Sequence, residues 1–568
     1  MGSPNCGSGS RPHRGAGDHA PAVPASATRQ APGQPGPGTG AEQGTSARNA
    51  PRVRAAGRTQ QLAYDATAIQ ARSVDIDARI GWLLAVNRLY HPDPDFASGP
   101  WFVQALADQA GVTASRSLVS RWEAGELVVP YDAVEGYEIV LGLPAGCLTG
   151  AVPALRHSVD RPLPVPARAT APGWPGRLDA VLDTAIAGNA IPFDWQQLGW
   201  LARGAGGLFL READWSGLAA ALVCGVSRYR GHGALVIRAA VGDLASTVRA
   251  DVFVADAVAA RLLDSAAQVF SRPFQLLETF DSSYVGDVVL SVLEGPRTEM
   301  LNLQSVALTT RLVERGVLTD DQRSRVGMEV LRRWRSGVDV FATGLVELIA
   351  ALPDSLSGAL ADAATDDGAL AYALTHAETP ADDCQGIAES MAARARSRLA
   401  RQPRHGVDRM LPRLLREALF HRDFGRRQLA LTLLRASPFR SPLVDELLDR
   451  LDADPPGSAG RFALRAVYEL SSDEHRLRLL RLLPEADDAT ASLLLVSIGG
   501  LTQSPISDLE LRGRLAPDPT LRSLSALYAL GMSGSAAIAR IAADPAAPGW
   551  QQTAARWWLD HGPVAPDT

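Results

Sequence analysis

FVQALADQAGVTASRSLVSRWEAGELVVP, residues 102–130, decides how the first structured part of this chain is read. Two short helical segments meet at Gly111, where a residue without a Cβ suits a tight turn. Leu106, Val119 and Trp122 fall where such segments share a core. Upstream, IDARIGWLLAVNRLY, residues 76–90, has the spacing of an amphipathic helix and contributes Leu84. Downstream, YDAVEGYEIVLGLP, residues 131–144, contributes Val134 and Leu141. The pattern predicts a small bundle of four helices within residues 75–150.

The residues carry a resemblance. Ile80-Gly81 with Leu84 and Arg88, Leu106-Ala107 with Gly111-Val112, Ser120-Arg121-Trp122-Glu123 with Gly125 and Pro130, and Leu141-Gly142 resemble the lambda-repressor-like, Cro-type helix-turn-helix (XRE) family. The resemblance covers about an eighth of the chain. It implies a third helix in the DNA major groove, with its N-terminal residues on base edges. It implies Arg116, Ser117, Ser120 and Arg121 as the DNA-binding residues, since arginine can hold guanine O6 and N7 in a bidentate contact. It also implies a structural ion pair, Arg88 with Glu123, that sets the angle between scaffold and reading helix. The segment departs from the family in three places. HPDPDFASGPW makes a long first connection, Thr113 and Ala114 lengthen the turn, and Phe102 or Val103 stands where a polar, phosphate-anchoring residue is usual.

Charge complicates this. Residues 76–150 hold Arg79, Arg88, Arg116 and Arg121 against Asp77, Asp93, Asp95, Asp108, Glu123, Glu126, Asp132, Glu135 and Glu138. An acidic domain binds phosphates weakly. DNA binding then needs a dimer, the N-terminal arm or another basic surface; otherwise the helix-turn-helix is a protein-contact module.

Around this segment, residues 1–70 are rich in Pro, Gly, Ala and Ser and are expected to be a disordered tail. Arg48, Arg52, Arg54, Arg58 and Arg72 make its end a basic arm that suits phosphates or stays solvated. Residues 151–176 are Pro-rich and expected to be an extended linker. From residue 177 onward, helical apolar spacing alternates with short breaks, as in RLDAVLDTAIAG and QRSRVGMEVLRRWR. VFVAD and DVVLSVLE are apolar but embedded in helical pattern. The expected division is an α-helical domain over 177–400 and helical repeats over 401–568.

RRQLALTLLRAS, GRFALRAVYELSS, LRSLSALYALGMSG and WQQTAARWWLDHG each centre on a small residue: Ala430, Ala466, Ala526 and Ala555. With SPLVDELLDRL and SAAIARIAADP between them, they resemble HEAT-type repeats, most clearly in residues 424–562. An irregular helical domain is the alternative. The predicted fold class is all-α.

All 56 basic side chains are arginine, and 62 acidic ones leave a net charge of -6, which excludes a protein basic all over. Thirteen arginines nevertheless lie between Arg394 and Arg440, opposed only by Asp408, Glu417 and Asp423. They suit either a second nucleic-acid or acidic-partner surface or simply solvated helix faces. Without lysine there is no Walker lysine, and H-E-x-x-H and G-x-S-x-G are absent, so no enzymatic activity and no cofactor are expected. Cys6, Cys147, Cys224 and Cys384 form no metal-ligand spacing, and no run of about 18 apolar residues suits a membrane span. A signal-peptide core is also missing, so a reducing, cytoplasmic setting is expected.

The expected function is a sequence-specific, DNA-binding transcriptional regulator. Its partners are double-stranded DNA and a second copy in a homodimer. The helical repeats would serve dimerisation, a protein partner or sensing. The alternative is a helical-repeat scaffold whose helix-turn-helix binds no DNA.

Overall fold

The computed structural model describes residues 61–565, apart from 72, 246, 248, 270, 337–343, 353–382, 401–402, 404–405, 422, 454–457 and 502–514. The expected tail over residues 1–60, with Arg48, Arg52, Arg54 and Arg58, lies outside the described residues, as does Arg72.

Among the described residues the chain forms 25 α-helices and no β-strand. The fold is all-α, and VFVAD and DVVLSVLE lie in the helices Ala250–Leu263 and Ser283–Glu294. No single helix among these residues is long and apolar enough to cross a membrane.

The first five helices are α1 (Ile76–Leu89), α2 (Gly99–Ala110), α3 (Arg116–Glu123), α4 (Tyr131–Val140) and α5 (Cys147–His157). Local chemistry sets their ends. Asp75 caps α1 by accepting from the Ala78 N–H at 3.0 Å. At the end of α2, Gly111 adopts φ +66° and its N–H returns to the Ala107 carbonyl. Glu138 closes the α4–α5 corner, its carboxylate accepting from the N–H groups of Gly146, Leu148 and Thr149.

In the C-terminal part, helices begin at residues 424, 458, 488, 521 and 549, each packed on the next in one row. The shorter helices Arg476–Leu482 and Ala537–Ala543 lie between them in sequence. Small residues hold the row together: Ala430, Ala466, Ala526 and Ala555 are all buried. A Cβ on Gly499 would lie 2.6 Å from the Ala529 Cα, and one on Gly531 would enter the Trp558 ring. The sequence comparison missed one member of the row, Asp488–Gly499, because its apolar residues run all round the helix and blur the pattern.

Two hydrophobic cores result. One is built from residues 181–352. The other joins the repeats to α1–α5, so the predicted helix-turn-helix domain is not a separate body. Trp82 stacks on Phe439 at 6.1 Å, Tyr90 meets the same ring edge-on at 4.9 Å, and Asn87 donates to the Ala436 carbonyl at 2.9 Å. On the other side α5 lies against the helix Gly231–Leu244, where a Cβ on Gly150 would sit 3.0 Å from the Val236 nitrogen.

Two expected boundaries change. The tail was expected to reach residue 70, but residues 61–71 are seated chain, with Asp65 completely buried. The expected linker from residue 151 begins inside α5, and residues 158–173 cross the surface with Leu163 and Ala169 buried. Arg168 lies 5.5 Å from the Tyr131 ring centre and 5.1 Å from that of Trp200. Within the stretch expected to be extended, Ala167–Ala169 form a 3-10 turn and α-helix resumes at Trp174.

Candidate nucleic-acid interface

Helix α3 divides its residues by side. Ser115 caps it, accepting from the Leu118 N–H at 3.1 Å. Val119, Trp122 and Glu123 then point inward and are buried. Arg116, Ser117, Ser120 and Arg121 are all exposed; the helical period puts Ser117 and Arg121 opposite the buried residues, while Arg116 is exposed because it opens the helix. Arg116 lies across the backbone of Gly99, the first residue of α2. Arg121 approaches Glu126 at 3.5 Å, with both side chains at least half exposed, a contact of little energy in water.

The angle of α3 is fixed from behind. Arg88 Nε and Nη2 donate to the two carboxylate oxygens of Glu123 at 2.6 Å each, with both side chains almost fully buried. The Tyr137 hydroxyl donates to Glu123 at 3.0 Å, and Arg88 Nη1 reaches the Phe96 and Ala97 carbonyls at 3.0 and 3.2 Å. The long first connection thus has a use. Its short 3-10 turn, Pro94–Ala97, delivers two carbonyls that complete the arginine's coordination. Backbone contact does the rest. A Cβ on Gly81 would lie 2.7–2.8 Å from the Gly125 nitrogen and the Glu123 and Trp122 carbonyls. The lengthened turn is accommodated as residues 111–115, between α2 and the Ser115 cap. The third departure stands: Phe102 is buried, Val103 is half-buried, and the residue before α2, Ser98, makes no capping bond with its side chain.

The acidic balance is smaller in space than in sequence. Asp77 is bonded by Arg156 and Glu135 by Arg168, two arginines from beyond residue 150. Glu123 is used by Arg88, and Glu138 is buried in the α5 corner.

The described arginines of the 394–440 stretch divide between buried and exposed positions. Arg413, Arg426 and Arg427 are buried, and Arg394, Arg398 and Arg435 are paired with Glu446, Asp449 and Glu469. Arg401, Arg404 and Arg422 lie outside the described residues. At the centre, Glu417 receives Arg79 Nη1 and Nη2 at 2.7 Å each, Arg426 at 2.9 Å and Arg413 at 3.1 Å. Arg79 Nε also donates to Asp65 at 2.7 Å, and Arg413 to the Asp65 and Thr67 carbonyls. Burial alone would raise the Glu417 carboxyl, but Arg79, then Arg426 and Arg413, hold it below the usual glutamate range. These arginines tie residues 61–73 and α1 to the repeats.

Sequence reasoning did not find this cluster, although Arg79 signalled it: a charged residue inside the apolar pattern of α1 needs a buried partner.

Comparison of the chain with protein families, with curated proteins and with solved structures finds no match.

Proposed function

We propose that this protein is a sequence-specific DNA-binding transcriptional regulator that reads DNA with α3, acting as a homodimer. One observation carries the reading. The face of α3 with Arg116, Ser117, Ser120 and Arg121 stays open, while α1 and α5 are buried against the remainder of the chain. A helix held rigidly from behind and bare in front is what base readout in a major groove requires. The resemblance to the XRE family assigns the same four residues. The helical repeats supply dimerisation, a protein partner's surface or sensing.

The scaffold reading has one observation in its favour: α1–α5 are keyed into the repeat core, which suits a structural module equally well. Fluorescence titration of the full chain against selected and scrambled duplexes, at several salt concentrations, separates the two. Under the regulator reading Arg121→Ala costs about 1–3 kcal/mol on the preferred site and relaxes preference at one base pair. Equal affinity for all sequences at every salt concentration would sink it in favour of the scaffold.

A further inference from the structure

Away from the α3 face, the helices Gly231–Leu244, Glu299–Glu314, Phe424–Arg435 and Ser458–Leu470 surround a cavity of about 100 Å³. Arg230 and Arg272 line it, together with Gln304, Tyr468 and Glu469. The other charged groups there are committed. Arg435 pairs with Glu469, and Arg238 with Glu278. Among the described residues Arg230 and Arg272 make no salt bridge of their own; the carboxylate that acts on both is Glu469, which Arg435 already holds. Arg230 lies 4.4 Å over the Tyr468 ring and donates to the Tyr468 carbonyl at 3.0 Å. Arg272 Nη1 donates to the Tyr229 carbonyl at 3.0 Å. The Arg272 side chain also meets the Tyr468 hydroxyl, and Gln304 Oε1 is buried with no hydrogen-bond partner among the described residues. Burial raises the Tyr468 hydroxyl, yet the two guanidiniums outweigh it and hold the group below the usual phenol range. Three guanidiniums, Arg230, Arg272 and Arg435, thus surround one carboxylate, Glu469.

Three guanidiniums around one carboxylate leave an excess of positive charge that is expensive to keep out of water, and beside a cavity that excess suits an anionic acceptor. We propose that Arg230 and Arg272 form a binding site for the oxyanion head of a small molecule, phosphate or carboxylate. Arginine's planar donor pairs match such oxygens bidentately. A water needs roughly 10–15 Å³ of cavity, so the space accepts a tetrahedral oxyanion. The remainder of the ligand has somewhere to go. A second cavity of about 440 Å³ shares Arg238, Gln275, Gln428 and Thr432 with the first. That size is in the range of small-molecule sites. Its wall includes Ala154 and Leu155 of α5 and residues 73, 74 and 76 at the entry to α1. An occupant therefore touches the joint that seats the first five helices.

The test is a thermal-shift titration of the full chain with inorganic phosphate and, separately, acetate, each against chloride at equal ionic strength. A saturable rise in melting temperature with phosphate, acetate or both is expected, and the stronger anion identifies the head group. In Arg272→Gln the half-effect concentration should rise roughly tenfold or more, as for loss of a charge-assisted bond. Arg272→Lys, which keeps the charge but not the fork, should fall between; it carries the test if the glutamine variant does not fold. No shift beyond chloride, or an unchanged response in both variants, overturns the site.

Discussion

Arginines in α3 and arginines in residues 394–440 follow opposite rules. The sparse pair in α3 faces solvent, with one loose contact to Glu126. Among the described residues of that stretch, Arg413, Arg426 and Arg427 turn inward and Arg394 and Arg398 lie on Glu446 of a neighbouring helix, while Arg409 is exposed over the Tyr64 ring. Local arginine density therefore does not measure basic surface. What decides it is whether carboxylates recur where the fold brings helices together, and Glu417, Glu446, Asp449 and Glu469 all do.

The contrast makes the inward group a stability device and the outward pair dispensable for folding. The strongest way to break it is Glu417→Ala, which leaves three buried guanidiniums facing one another. A loss of about 3–5 kcal/mol is expected in urea unfolding of the full chain. A wild-type-like midpoint would mean the cluster is not formed. Because the folded carboxyl is held below its usual range, its contribution is complete above the unfolded glutamate range. It is lost as pH falls through that range towards the lowered folded value. Glu417→Gln should flatten this acid limb of the stability profile.

Next in size is the lock behind α3. Glu123→Ala strands Arg88 in a buried site and should cost about 3 kcal/mol. A cycle with Arg88→Met should return coupling of about 1–3 kcal/mol, whereas plain additivity would remove the pair from the account. Gly81→Ala tests the backbone approach of α1 to the end of α3. Overpacking there should cost about 2 kcal/mol by thermal unfolding. The smallest effect sharpens the comparison from the other side: Arg116→Ala and Arg121→Ala should each move stability by no more than about 0.5 kcal/mol. A large loss from either would show that the outward face is structural after all.

Much of the local structure was legible. The predicted helix over 76–90 is Ile76–Leu89, and the third helix is Arg116–Glu123, because apolar spacing, Ser115 and Gly111 are signals read within a few residues. That Val119 and Trp122 turn inward and Ser117 and Arg121 outward follows from the same period, whereas the exposure of Arg116 comes from its place in the first turn. What could not be read depends on distant partners. Nothing near Asp65 indicates Arg79 and Arg413, and nothing near Arg230 indicates that Arg272 and Tyr468 will face it. The contact of Arg168 with the Tyr131 and Trp200 rings was hidden for the same reason, since those rings come from two different helices.

The Arg79–Glu417 bond spans 338 residues of sequence, and that separation becomes a delay while the chain is being made. At about 5–20 residues per second, a ribosome needs roughly 17–70 s to travel from one partner to the other. Through that interval α1 has its contacts with α3 within reach but lacks the surface that will cover Trp82, Asn87 and Arg79. Its outer side is then uncovered on a nascent chain in which Arg79 and Asp65 are present but Glu417 is not. The lock on Arg79 can close only once residue 417 has been made, so the seating of α1 on that surface is a late step of synthesis.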